Sequence, residues 1–136
     1  MLYLPKELYL TAFATMLAII VYNMQMFYVI KARTTYGIKA PATTGNENFD
    51  RVWRVHYNTL EQLPIFFASL WLFALTVSSL YAGILGILWS IGRLGYMYGY
   101  YKSTKSRSNP IAYVGSFSFL ILSFGSLIAV IMGFFR

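Results

Sequence analysis

The chain has 136 residues, of which 58% are hydrophobic and 11% are charged, whereas soluble domains are about 25% charged. A soluble fold of this length could not bury so much apolar surface, so the composition excludes a soluble enzyme. It predicts one integral membrane domain over residues 1–136. The net charge of +7 comes from basic residues scattered over helix ends, which excludes a nucleic-acid-binding arm.

Four apolar segments are long enough for membrane-spanning helices, each of which needs roughly 20 residues. The predicted fold class is all-α, an integral membrane four-helix bundle with up-down-up-down topology. The predicted helices lie at about 8–33, 48–76, 80–101 and 109–135.

Capping residues and prolines mark the helix boundaries. Asn46 or Asn48 can cap the second helix, because an asparagine side chain accepts hydrogen bonds from the first turn. Pro64 predicts a kink inside this helix, since proline cannot donate a backbone hydrogen bond. The pair Asn109 and Pro110 is typical of a helix start.

The two basic loops predict the orientation in the membrane. Under the positive-inside rule, both loops lie in the cytoplasm and both termini lie on the opposite side. If the source is eukaryotic, we expect the membrane to be the endoplasmic reticulum; if it is bacterial, we expect the inner membrane. The basic residues are Lys31, Arg33 and Lys39 in the first loop and Lys102, Lys105 and Arg107 in the second.

Residue counts restrict the chemistry. Cysteine is absent, which excludes disulfides, thiolate metal sites and a protein thiol nucleophile, so any thiol must come with a ligand. A single histidine, His56, excludes a multi-histidine metal centre, and we expect no bound metal.

The second helix carries a row of polar side chains into the membrane. Four residues recur at steps of three, four and three, which places them on one helical face. Ionisable groups at this depth are costly unless they find partners, so a functional site is the default interpretation. The four residues are Arg51, Arg54, Asn58 and Glu61.

A second polar row on the third helix consists of Arg93, Tyr96 and Tyr100. Arginine keeps its charge when buried and binds carboxylates in a bidentate fork, so the excess of arginine indicates an anionic ligand. Glutathione, with two carboxylates, an ammonium group and a thiol, fits this set. Two alternatives remain open: Glu61 and Arg93 form a structural ion pair, or the two tyrosines are membrane-interface aromatics.

The segment 54–61, Arg-Val-His-Tyr-Asn-Thr-Leu-Glu, followed by Pro64, resembles the signature of a known membrane protein family. This family comprises the membrane-associated proteins in eicosanoid and glutathione metabolism (MAPEG). The resemblance continues through residues 29–33, 43–45 and 92–100, and it covers nearly the whole chain. It is closest to the third microsomal glutathione transferase subgroup.

The resemblance implies a homotrimer with active sites between subunits near the cytoplasmic face and glutathione as co-substrate. It implies transfer of glutathione to hydrophobic electrophiles, or reduction of lipid hydroperoxides. Arg107 is implied to be catalytic by stabilising the glutathione thiolate, and Arg51 to be a flanking or helix-anchoring contact. The implied glutathione contacts are Arg33, Arg51, Arg54, His56, Asn58, Glu61, Arg93, Tyr96 and Tyr100.

Departures from the family pattern and an alternative function bear on the activity. Gln62 stands where leukotriene-synthesising members have an aromatic residue, which weighs against that product. The alternative to an enzyme is a non-catalytic lipid-presenting protein of the same fold. The retained set of glutathione-binding groups favours the enzyme, and a transporter is less favoured because the short chain lacks an inverted repeat.

Overall fold

The computed structural model describes residues 3–135, and residues 1–2 and 136 of the predicted domain lie outside this range. The described residues form helices joined by loops, which confirms the predicted all-helical fold. Within these described residues, four helices are long and apolar enough to cross a membrane, as the composition predicts. Single 3-10 turns lie before the first helix and in the last loop. The long helices are α1 Tyr9–Tyr36, α2 Glu47–Thr76, α3 Ser79–Lys102 and α4 Pro110–Gly133.

Helix α1 ends at Tyr36, beyond the predicted end at residue 33, because Gly37 provides the stop. Gly37 has φ of 67°, a left-handed conformation that glycine adopts without steric cost. The N–H groups of Gly37 and Ile38 both donate to the Arg33 carbonyl. The loop to α2 is therefore shorter than predicted and covers residues 37–46.

Both asparagine caps form. Asn46 caps α2, since its side-chain oxygen accepts from the N–H groups of Asn48 at 2.9 Å and Phe49 at 3.3 Å. Asn109 caps α4 directly before Pro110. Both caps were predicted, although the sequence left open whether Asn46 or Asn48 begins α2.

The core joins all four helices around α2 and α3, each of which contacts the other three long helices. Phe66 of α2 stacks on Trp89 of α3 with ring centroids 3.9 Å apart. Gln62 accepts a hydrogen bond from the Trp89 indole N–H at 3.3 Å. Helix α2 continues through Pro64 to Thr76, and the kink at that proline stays a prediction. These contacts fix the register of α2 against α3.

Glycines let α3 and α4 approach closely. A Cβ atom on Gly115 would lie 2.7 Å from the Cα atom of Gly92, so the two backbones touch. One turn further along α3, a Cβ atom on Gly95 would lie 2.5 Å from Ile111. Because α4 begins against α3, the connecting loop, including Arg107, lies beside the end of α3.

Candidate functional site

A small pocket opens where the start of α2 lies beside the end of α3. Its volume is about 130 Å³. Three predicted site residues, Arg51, Arg54 and Tyr100, meet here, although they come from different helices. The complete lining consists of Glu47, Asp50, Arg51, Arg54, Tyr100 and Thr104.

The two arginines of this pocket differ in their surroundings. Arg51 forms an ion pair with Glu47 at 2.5 Å and also donates to Asn48, so it is anchored to the first turn of α2. Arg54 is exposed on the same helical face. Between residues 3 and 135, the pair of Arg51 and Glu47 is the only ion pair. Arg54 therefore presents a guanidinium group to which an anion could bind.

A chain of contacts leads from the pocket along α3. The guanidinium carbon of Arg107 lies 5.7 Å from the Tyr100 ring centroid, and the Tyr100 and Tyr96 rings are 5.4 Å apart. Arg93 lies over the other tyrosine, 4.4 Å from the Tyr96 centroid. The Asn58 amide donates to the Tyr96 hydroxyl at 2.6 Å. The predicted row on α3 thus forms one connected cluster with Asn58 and Arg107.

The sequence left open a structural ion pair between Glu61 and Arg93, and within residues 3–135 this pair does not form. Arg93 is only 7% exposed, and its Nε and Nη2 atoms donate to the Thr59 hydroxyl at 3.1 and 2.7 Å. Glu61 is exposed. Residues two apart on a helix point to nearly opposite sides, so Thr59 can face α3 only if Glu61 faces outward.

Arg33 holds the α1–α2 loop instead of joining this cluster. Its Nη1 atom donates to the Ala42 carbonyl at 2.8 Å. Its guanidinium carbon lies 5.1 Å from the Phe49 ring centroid and 5.4 Å from that of Trp53. Within one chain, Arg33 therefore lies apart from the pocket and from the tyrosine row, and its predicted contact with glutathione stays a prediction.

His56 lies in the seam between α1 and α2. Its Nε2 atom and the Tyr22 hydroxyl are 3.1 Å apart, and the two rings stack with centroids 5.0 Å apart. His56 is two positions from both Arg54 and Asn58, so it faces away from them around the helix. The structure of one chain therefore separates His56 from the other predicted contacts.

Sequence reasoning missed the role of Thr59. It is fully buried, and its hydroxyl donates to the Val55 carbonyl at 3.0 Å while accepting from Arg93. A signal was present, since Val55, Thr59 and Leu63 recur at steps of four and all three are buried. A polar residue within such a repeat indicates a polar partner on the facing helix.

The site is suited to an anionic organic ligand. Two arginines line the pocket, and two more lie along the tyrosine row, whereas the only acids of the pocket are Glu47 and Asp50. Glu47 is engaged with Arg51, and Asp50 accepts from the Gly45 N–H at 3.1 Å. Within residues 3–135, no group of three or more His, Cys, Asp or Glu residues could hold a metal ion.

The chain is similar to known proteins over most of its length. The MAPEG family model matches residues 11–129. An uncharacterized protein of Synechocystis is 46% identical over 125 residues, which are 92% of this chain and 90% of that protein. Leukotriene C4 synthase of Cavia porcellus is 31% identical over 124 residues, which are 91% of this chain and 83% of that enzyme.

A shorter similarity links the chain to another enzyme. Microsomal glutathione S-transferase 2 of Homo sapiens is 38% identical over 77 residues, which are 57% of this chain and 52% of that protein. The resemblance first seen in segment 54–61 is thus confirmed over nearly the whole sequence. The chain belongs to the MAPEG family.

Proposed function

We propose that this protein is a glutathione-dependent transferase and peroxidase that acts on hydrophobic electrophiles and lipid hydroperoxides. The observation that carries the proposal is the connected cluster of Asn58, Arg93, Tyr96, Tyr100 and Arg107 beside the arginine-lined pocket. Relatives named leukotriene C4 synthase and microsomal glutathione S-transferase 2 support glutathione chemistry. The closer likeness to the third transferase subgroup stays a prediction.

Each charged part of glutathione has a complementary group in the site. Arg54 binds a carboxylate of the tripeptide, because a guanidinium fork matches a carboxylate, and Arg51, which Glu47 holds, flanks this contact. The exposed carboxylate of Glu61 binds the ammonium group. Asn58 uses its amide nitrogen to donate to Tyr96, so its carbonyl oxygen is left to accept from an N–H of the ligand.

Arg107 activates the thiol. A free thiol has a pKa of about 8.5, and a nearby cation lowers it by about one unit or more. The thiolate is the nucleophile, so this shift raises the reactive fraction at neutral pH. Attack on an electrophilic carbon forms a sulfur–carbon bond and expels the leaving group. With a hydroperoxide, sulfur takes the terminal oxygen and an alcohol leaves; a second glutathione then converts the sulfenic acid to the disulfide and water.

A homotrimer with an up-down-up-down arrangement of helices completes the site. The arginine-lined pocket of one chain has a volume of only about 130 Å³, whereas ligand sites of this kind occupy about 300–1,000 Å³. Asn23, Arg54 and Glu61 are exposed on helices that could span a membrane, and polar groups facing lipid are costly. A second protomer covers these groups, and the contacts implied for Arg33 and His56 come from the neighbouring protomer.

Two apolar grooves between α2 and α4 supply a path for the lipid substrate. Their volumes are about 520 and 510 Å³, and neither is lined by a charged residue. The first begins at Pro64 and Ile65, one turn beyond Glu61 on α2. A hydrophobic electrophile can therefore enter from the bilayer and meet the thiolate where the polar row ends.

The basic loops orient the site. Lys31 lies near the end of α1, and Lys39 lies in the loop that Arg33 holds. Lys102 is the last residue of α3, and Lys105 follows in the next loop. We propose that this end of the bundle lies on the cytoplasmic face of the membrane, where glutathione is available. The membrane is the endoplasmic reticulum in a eukaryote or the inner membrane in a bacterium.

The test is glutathione conjugation by the protein purified in detergent. We expect it to conjugate chlorodinitrobenzene and to reduce cumene hydroperoxide, and we expect Arg54→Ala to weaken glutathione binding measured by calorimetry. The exposed Lys105, which is outside the pocket, supplies the matched control Lys105→Ala. Absence of both activities and of glutathione binding would favour the second candidate, a lipid-presenting protein, which the apolar grooves also suit.

A further inference from the structure

We propose that Thr59 is a positioning residue that fixes Arg93 and, through Arg93, orients Tyr96 and the Asn58 amide for glutathione. This inference rests on the proposed function. It gives a role to Thr59, to which the family resemblance assigns none, and it explains how a buried arginine is held where no acid among residues 3–135 contacts it.

The Thr59 hydroxyl fixes the guanidinium group of Arg93 at two points. The hydroxyl hydrogen is directed to the Val55 carbonyl at 3.0 Å, so the oxygen lone pairs are directed elsewhere. They accept from Nε at 3.1 Å and from Nη2 at 2.7 Å of Arg93. Two bonds to one acceptor define the plane of the guanidinium group, and a valine of the same shape could form neither.

The fixed guanidinium group in turn defines the position of the Tyr96 ring, whose centroid is 4.4 Å from the Arg93 guanidinium carbon. The Tyr96 oxygen accepts from the Asn58 amide at 2.6 Å, which orients that amide. Two polar atoms then remain for a ligand: the hydroxyl hydrogen of Tyr96 and the carbonyl oxygen of Asn58. Thr59 therefore determines the donor and acceptor pattern of the site without touching the ligand.

Packing of α2 against α3 does not depend on this hydroxyl. The same two helices are joined by the Phe66–Trp89 stack and by the hydrogen bond from Trp89 to Gln62. We therefore expect Thr59→Val to fold, but with a lowered thermal midpoint, because the buried Arg93 loses both of its hydrogen bonds to this hydroxyl. Thr59→Ser keeps the hydroxyl and supplies the conservative control.

The first measurement is independent of activity. Phenylglyoxal modifies accessible arginines, and mass spectrometry locates the modified sites on the purified protein. In the wild type and in Thr59→Ser we expect protection of Arg93, which is only 7% exposed, while the exposed Arg54 reacts and serves as internal reference. In Thr59→Val we expect Arg93 to become reactive. Equal protection of Arg93 in both variants would overturn the inference.

The second measurement is turnover with glutathione and chlorodinitrobenzene. The loss of hydrogen bonds to a charged group predicts a fall in kcat of about tenfold for Thr59→Val, with recovery in Thr59→Ser. Wild-type turnover in Thr59→Val would overturn the inference while leaving the proposed function intact. A different result would refute the proposed function and leave the role of Thr59 intact. In that result the wild type is inactive, yet Arg93 is protected in the wild type and in Thr59→Ser and reactive in Thr59→Val.

Discussion

The substitution Arg93→Met is expected to have opposite effects on stability and activity. Arg93 is a buried cation whose contacts are the Thr59 hydroxyl and the Tyr96 ring, with no carboxylate among them. Replacing a buried ion pair with apolar residues of similar volume is often neutral, or stabilising by about 1–4 kcal/mol, and a buried cation without a counter-charge carries the same kind of desolvation cost. Thr59 keeps its bond to the Val55 carbonyl, so no new unsatisfied group is created.

Activity should fall in the same variant. A desolvated cation over an aromatic ring contributes about 2 kcal/mol, and this contact holds the Tyr96 ring to which Asn58 donates. If most of that contribution acts in the transition state, turnover falls between about tenfold and thirtyfold, at about 1.4 kcal/mol for each factor of ten.

The assay measures the thermal unfolding midpoint and the conjugation rate on the same purified samples. Lys105→Met, which removes an exposed cation from the adjacent loop, is the matched control and should change neither quantity. A lower midpoint for Arg93→Met, together with unchanged turnover per folded protein, would refute the reasoning. Arg93 would then be a structural brace between α2 and α3.

Three further changes test separate parts of the account. Arg107→Ala should return the pKa of the bound thiol toward about 8.5, so we expect turnover near pH 7 to fall about tenfold. Above about pH 9 the difference in turnover between variant and wild type should shrink. Weaker glutathione binding with unchanged turnover would contradict this role. Asn46→Ala removes the α2 cap and should cost about 1 kcal/mol in denaturant unfolding, and an unchanged midpoint would show that the cap contributes nothing. Gly92→Val should lower the thermal midpoint, because the added side chain meets the backbone of Gly115. Gly133→Ala is the control and should leave the midpoint unchanged, because a Cβ atom there has no neighbour within 4 Å. Equal midpoints for the two variants would contradict the close packing of α3 and α4.

Local patterns predicted much of this molecule. The four membrane helices follow from apolar length, and the cap of α4 follows from the pair Asn109 and Pro110. The spacing of Arg93, Tyr96 and Tyr100 predicted a shared stripe, and the structure confirms the contacts between them. Each of these features depends on residues within a few positions of one another along the chain.

Contacts between helices were harder to predict. The partner of Arg93 depends on the register of α2 against α3, which the stack of Phe66 on Trp89 helps to set. Helical spacing placed Glu61 on the polar face, but it could not show that Thr59, on the buried face, would be the residue opposite Arg93. Register arises from side-chain volumes on both helices, which a single helical pattern does not contain.

The sequence could not show which predicted site residues contact one another only when several protomers assemble. Arg33 and His56 match the family signature, yet each is held in the α1–α2 seam of its own chain. A sequence motif records that residues share a site without recording whether one protomer supplies them all.

The most direct measurement is the ultraviolet difference spectrum of glutathione bound to the purified protein near neutral pH. We predict a thiolate absorbance that saturates with glutathione, is absent with the serine analogue of the tripeptide, and is diminished in Arg107→Ala. Saturable binding with the thiol still protonated, or no binding at all, would contradict the claim that this arginine cluster activates the thiol of glutathione.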